Sequence, residues 1–191
     1  KKFKVITKFS PTRKDLPEDI IERINYNTTT LGVSSLYSYM FHSYNDYMKY
    51  FSLFQNDLIK LKKKNIIRKI GVSLHSNIEV DDVLKNKYIQ IIQLHFNQLD
   101  NSNQRKKILL KAKDLGVEVH TRSVFLQGLF FKDLNEISGN LINLKEDLTQ
   151  IKNITSKENI NDLALNYAIS KDYIDYVLLG DVHERQFLTD T

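Results

Sequence analysis

Polar residues stand where runs of β-forming residues stop. Lys8 ends KVITK, His42 ends SLYSYMFH and Ser73 ends IRKIGVS. Gln93 interrupts IIQL, Arg122 and Ser123 end VEVHTRS, and Gly180–Asp181 follow LL. The stretch RSVFLQGLF, residues 122–130, frames the question. A buried strand has no reason to finish on a cation and a hydroxyl and then enter an apolar loop holding Gln127 and Gly128. A strand whose far end meets a phosphate does. Gln93 poses the same problem, because burying its amide without partners costs ~1–3 kcal/mol. Either a ligand or a neighbouring strand can supply the partner. Each residue also has a plain structural reading: Lys8 reaching solvent, His42 as a hydrogen-bonded strand-end histidine, Arg122 in an ion pair above a loop that plugs an apolar mouth.

The elements that position these residues alternate along the chain. Strands are expected at residues 3–8, 35–42, 68–74, 89–96, 117–124 and 176–179. Helices are expected at 18–27, 47–64, 80–84, 103–115, 141–151 and 157–170. Ile20, Ile21 and Ile24 share one face of the first helix. Phe51, Phe54, Leu58 and Leu61 form the stripe of the second, with Asn65 as its left-handed cap. Leu163, Ala164, Tyr167 and Ala168 turn inward on the last. Gly116 stops the fourth helix. Strands separated by single helices imply parallel βαβ units, and no GxGxxG or GxxxxGK turn follows any of them. That favours an α/β fold of the (β/α)8 TIM-barrel kind over an open doubly wound sheet. In a barrel, strand C-terminal ends converge on one face, where catalysis and binding are built. Six strands are two short of eight, and barrels usually need about 250 residues.

Composition narrows the function classes. The 191 residues contain 41% hydrophobic residues, enough for the core of one domain. Cysteine is absent, which excludes disulfides and thiolate metal sites and fits a reducing, cytoplasmic setting. No apolar run reaches the ~18–20 residues of a membrane span. Net charge is +5 at pH 7, but the basic residues are scattered, and the one dense cluster, LKKKNIIRK (61–69), sits at a helix end where cations suit the dipole. Nucleic acid and membrane are therefore not expected partners. The first residues already read as a strand and the last, HERQFLTDT, as the start of a helix. We expect a piece of a longer protein: a single barrel domain over 1–191, truncated at its N-terminus and at its C-terminal helix, with most of the missing part before Lys1.

Six segments in order, VITK (5–8), SLYSYMFH (35–42), IRKIGVS (67–73), IIQLHFNQLD (91–100), RSVFLQGL (122–129) and LLGDVHERQ (178–186), resemble the aldo-keto reductases. The resemblance covers nearly the whole chain. The RSVFLQGL form is also similar to a subset associated with bacterial surface-sugar biosynthesis. The family implies a barrel that binds NADP(H) or NAD(H) and reduces a small-molecule carbonyl, using a Tyr, a Lys, a His and an Asp.

On that resemblance Lys8 matches the catalytic lysine and His42 the histidine that orients the carbonyl oxygen. The matching Tyr and Asp are expected upstream of Lys1. Tyr37 and Tyr39 alternate out of phase with His42 and should face the helices. Ser73 and Gln93 match residues that hold the nicotinamide carboxamide, although Leu74 stands where the family often has Asn. Arg122 takes a position that is often an aromatic lying against the nicotinamide, and a planar guanidinium can also stack. Ser123, Phe125, Gln127 and Gly128 would wrap the pyrophosphate. Gly180 and Gln186 would bound the adenosine-phosphate loop, where Asp181 and Val182 depart from the pattern and His183 and Arg185 could offset them. The alternative is a non-catalytic cofactor-binding or regulatory module of the same fold. His75, His95 and His120 show no metal spacing and read as structural or exposed. Asp81–Asp82 read as helix N-terminal charge.

Overall fold

In a computed structural model, residues 3–12, 18–154 and 159–180 are described. The chain divides into two compact units: Lys1–Leu94 with Leu110–Val119, and His95–Leu109 with His120–Thr191. Strand order is the order of the chain, β1 to β6.

In the first unit, β1 (Ile6–Phe9), β2 (Leu36–Phe41), β3 (Ile67–Ser73) and β4 (Ile89–His95) pair in parallel. The register aligns Lys8 with Met40, Met40 with Gly71, and Ser73 with Gln93. Side chains alternate along a strand, so this alignment places those residues on one face. Gly71 marks the tightest point: a Cβ there would stand 3.0 Å from the Ile91 carbonyl oxygen and 3.0 Å from the Met40 side chain.

The helices follow from their caps. Helix α1 (Ile20–Thr30) starts at Asp19, whose Oδ1 accepts from the amides of Ile21 and Glu22 at 2.9 and 3.0 Å. Ile20 and Ile24 are buried as expected. Ile21 is only half-buried, and Arg23 takes the inward place instead. The reason is polar: the Arg23 Nη1 donates to the Ser10 carbonyl at 2.8 Å, and its guanidinium lies 4.9 Å from the Phe9 ring centroid. Helix α2 (Tyr44–Lys63) begins earlier than its apolar stripe suggests, because Ser43 accepts from the Asp46 amide at 3.1 Å. Asn65 adopts φ 58°, closing the helix as its left-handed cap. Phe9 sits edge-on to Phe41, Tyr50 and Phe54 at 5.1–5.8 Å, each pair worth about 0.5–1.5 kcal/mol beyond its buried area.

Helix α3 (Asn77–Val83) corrects the reading of Asp81–Asp82. Ser76 and Glu79 form a capping box that starts the helix at Asn77. The two aspartates therefore fall in its last turn. There they pair with Lys111 and with Tyr44 and Lys85.

In the second unit, the end of β5 (Glu118–Arg122) pairs in parallel with β6 (Tyr176–Val177), His120 opposite Tyr176. Helix α4 (Ser102–Asp114) starts after a turn in which the Asn97 Oδ1 accepts from the amides of Leu99 and Asp100, both at 2.9 Å. The expected helix at 141–151 opens instead as a 3-10 turn, Gly139–Leu144, and becomes α5 over Lys145–Ile154. Helix α6 (Ile160–Ile169) buries Ile160, Ala164 and Ala168, with Leu163 and Tyr167 half-buried. Phe96 stacks on Tyr167 at 5.5 Å, and the hydroxyls of Tyr167 and Tyr173 both reach Ser102. No described helix is long and apolar enough to cross a membrane.

Candidate functional site

In the first unit, strand alternation delivers the polar residues. The Lys8 ammonium, next to last in β1, donates to the Gln93 side-chain oxygen on β4. Gln93 is 3% exposed, and Ser73, its register partner, is 2% exposed. The partner that Gln93 requires is thus supplied within the chain, as the structural reading allowed. A lysine that donates a hydrogen bond to an amide oxygen keeps its proton and its charge. His42 follows β2 directly; its amide donates to the Phe9 carbonyl at 3.0 Å and its side chain is exposed. Lys8 and His42 line one cavity of about 490 Å³, together with Thr7, Ser10, Tyr26 and Asn27. Three expected residues, Lys8, Ser73 and Gln93, are therefore linked by a hydrogen bond and a register pair, and His42 shares a cavity wall with Lys8.

The two tyrosines of β2 differ. Tyr39 is buried, and burial pushes its phenol up despite the Arg23 charge beside it. It fits the helix-facing expectation. Tyr37 does not: its hydroxyl donates to both carboxylate oxygens of Glu118, at 2.7 and 2.9 Å, and the Lys4 ammonium lies over its ring. Lys69 pairs with the same carboxylate.

In the second unit, the backbone does the positioning. Ser123 has φ 62°, Leu126 48°, Gln127 55° and Gly128 84°. Residues other than glycine rarely take these angles, and such strain gathers where a loop must present particular atoms. The Asn97 side chain donates to the Ser123 carbonyl at 3.1 Å and holds the bend. A cavity of about 320 Å³ is lined by His95, Ser123, Gln127 and Lys132 on its polar side and by leucines, among them Leu126 and Leu129. Its lining includes no carboxylate. Phe125 lies apart from that lining, its half-buried ring 5.7 Å from that of Phe131. Gly180 is exposed just beyond β6, and Gln186, with Asp181, Val182, His183 and Arg185, lies outside the described residues.

Arg122 ends β5 half-buried, with its Nη1 on the Nε2 of His95. To accept from a guanidinium, that ring nitrogen must be unprotonated. Burial lowers the Arg122 pKa, though an arginine keeps its charge in proteins. Setting His95 aside as structural was thus incomplete. It stands two residues after Gln93, and strand period alone puts the two on one face. Lys132 carries no comparable sequence signal. Among the described residues, no group of three or more His, Asp or Glu is placed to hold a metal ion.

Solved structures share this arrangement of elements. An aldo-keto reductase of Bacillus halodurans in its holo form superposes with a TM-score of 0.76 at 20% identity, over 98% of this chain and 65% of that one. Its apo form gives 0.74 at 22%, over 98% and 64%. An aldo/keto reductase of Klebsiella pneumoniae, in complex with NADP and acetate, gives 0.63 at 13%, over 93% and 59%. The chain thus spans less than two thirds of the length of these proteins, and the shared fold is an incomplete (β/α)8 barrel. No curated protein sequence matches it. The model of the Aldo/keto reductase family, however, matches residues 1–188, and on that extent of agreement the chain belongs to the aldo/keto reductase family.

Proposed function

We propose that the protein containing this chain reduces a carbonyl compound by hydride transfer from NADPH or NADH. The observation that carries the proposal is the Lys8 ammonium, held by Gln93 beside a cavity that His42 also lines. Hydride addition to a carbonyl develops negative charge on oxygen, so a fixed cation and a hydrogen-bond donor aimed at that oxygen lower the barrier. Lys8 supplies the cation. His42 orients the carbonyl by donating to its oxygen. Tyr37, bound to the Glu118 carboxylate, and the buried Tyr39 are not assigned the role of the acid.

The residues fit a nicotinamide dinucleotide. Ser73 and Gln93 are buried polar side chains able to hold a carboxamide. The left-handed run at Ser123, Leu126, Gln127 and Gly128 borders a cavity with hydroxyl, amide and ammonium donors and no carboxylate, which suits a pyrophosphate. Phe125 and the planar face of Arg122 would pack on the cofactor, and Gly180 and Gln186 would bound its adenosine end. Bound NAD(P)H would supply the hydride. The substrate we infer is a sugar or sugar-nucleotide carbonyl, on the form of RSVFLQGL, and the setting a cytoplasmic one.

The full-length gene product, given NADPH or NADH with a panel of aldehydes and keto-sugars, should consume the reduced cofactor, read as loss of its near-ultraviolet absorbance. Failure with every substrate would overturn the reductase reading. One observation favours a second reading, a cofactor-binding module without turnover: Lys8 donates to a neutral amide. That reading predicts saturable NADPH binding by fluorescence and no oxidation.

A further inference from the structure

In the first unit, to which Glu118 belongs, some side-chain contacts skip over strands. At the strand ends, Lys8 on β1 reaches Gln93 on β4, past β2 and β3. At the strand starts, the Tyr37 hydroxyl on β2 donates to both oxygens of Glu118 on β5, past β3 and β4. Lys69 on β3 pairs with the same carboxylate, past β4. Strands lie about 4.8 Å apart, so two strands with two others between them are about 14 Å apart in a flat sheet. Side chains stand roughly perpendicular to a sheet and do not close such a gap. Both sets of contacts therefore depend on how far this sheet curls. Glu118 also keeps like charges together. The Lys4 and Lys69 ammonium groups lie 4.6 and 5.4 Å from the Tyr37 ring centroid. Lys62, which donates to Gln90 on β4, has its pKa lowered by burial first and then by the Lys69 charge. With a neutral group in place of the carboxylate, these cations would repel one another and the Tyr37 hydroxyl would lose a charged acceptor.

We propose that Glu118 is a positioning residue for Lys8. By drawing the starts of β2, β3 and β5 together, it sets the curl that brings Lys8 to Gln93 at the far ends of the strands. The inference rests on the reductase reading of Lys8 and gives that lysine's placement a distant cause. Glu118 does not line the cavity that Lys8 borders, so it acts through Lys8 and not on the substrate. From Lys69 to Ser73, the register partner of Gln93, the two sets of contacts are about 13 Å apart along β3. Sites that far apart usually act independently, so coupling between them is informative.

The test is a double-mutant cycle on the full-length protein with NADPH and glyceraldehyde: Glu118→Gln, Lys8→Met and the two combined. Glu118→Gln alone should lower kcat/KM about 10-fold, mainly through kcat, and by less than about twofold once Lys8 is methionine, the signature of coupled sites. Glu118→Asp, which keeps the charge, should recover part of the loss. A Glu118→Gln loss that persists undiminished on the Lys8→Met background would overturn the proposal, because a general loosening of the fold acts without Lys8. Acylation of Lys8 by an amine reagent, read by mass spectrometry, needs no turnover. Lys8 should react about 3- to 10-fold faster in Glu118→Gln than in the wild type, the worth of the lost hydrogen bond to Gln93, while the exposed Lys60 should react alike in both. If Lys8 is released in this way and no carbonyl is reduced, the reductase reading fails and the positioning role stands. If the Lys8 rate is unchanged, the positioning role falls. Should Glu118→Gln not fold, Tyr37→Phe, which removes a single hydroxyl, carries both readouts, with a smaller effect in the same direction.

Discussion

Two glycines show how differently the two units hold their candidate residues. Gly71, in the first, lies on a regular strand where a Cβ would meet the Ile91 carbonyl oxygen and the Met40 side chain. Gly128, in the second, has nothing within 4 Å of where its Cβ would stand, but its φ is 84°. The first glycine is required by space, the second by backbone conformation. The same contrast runs through the candidate residues. Lys8, Ser73 and Gln93 are aimed by the period of paired strands, whereas Ser123 and Gln127 are aimed by left-handed turns. In the first unit a side chain's direction is a consequence of register; in the second each residue is placed by its own dihedral angles and by braces such as Asn97.

The largest effect should come from the strand-borne half. Lys8→Met should reduce kcat/KM by about 100-fold or more, the range of a positioned catalytic group, with NADPH affinity nearly unchanged. Steady-state kinetics beside a fluorescence titration checks it, and unchanged turnover removes Lys8 from the chemistry. Next come the glycines, which sharpen the contrast directly. Gly71→Ala should cost about 1–3 kcal/mol by overpacking against backbone that cannot move aside. Gly128→Ala should cost about 1–2 kcal/mol from its conformation alone. Gly128→Asn should recover part of that loss because Asn tolerates the left-handed region, and Gly71→Asn should recover none. Urea unfolding of the four variants would break the comparison if Asn rescued both sites or neither.

The smallest effect concerns Tyr39. Burial raises its pKa in the folded state above the ordinary 10.0. A raised pKa means the folded state favours the protonated phenol, so this contribution is whole below pH 10 and is lost as pH rises toward the folded value. Tyr39→Phe should flatten that alkaline limb of a melting-temperature profile. Near neutral pH it should change stability by less than about 1 kcal/mol, because the buried hydroxyl has no partner to lose. A steep alkaline limb that survives the substitution would show that another group governs it.

How far the sequence could be read follows from the same contrast. The strands of the first unit were legible because alternation and apolar content coincide, and Asn65 was legible because left-handed caps favour its residue type. The early start of α2 at Ser43 and the last-turn place of Asp81–Asp82 were misread for one reason. Apolar stripes mark the buried face of a helix, while its first residue is chosen by a side chain bonding to the amide three residues on. Tyr37 was misplaced because alternation states which way a residue points in an ideal strand and says nothing of a Glu118 carboxylate 81 positions away that its hydroxyl can reach.

By itself, then, the sequence determined the alternation of strand and helix, the inward rows of each strand and the family pattern written in six ordered segments. Those depend on local period and residue type, which the chain carries from neighbour to neighbour. Only the tertiary structure decided that Lys8 meets Gln93 and that His95 holds Arg122. Such pairings arise between residues far apart in the chain, where register and loop backbone set the distance and no local pattern records it.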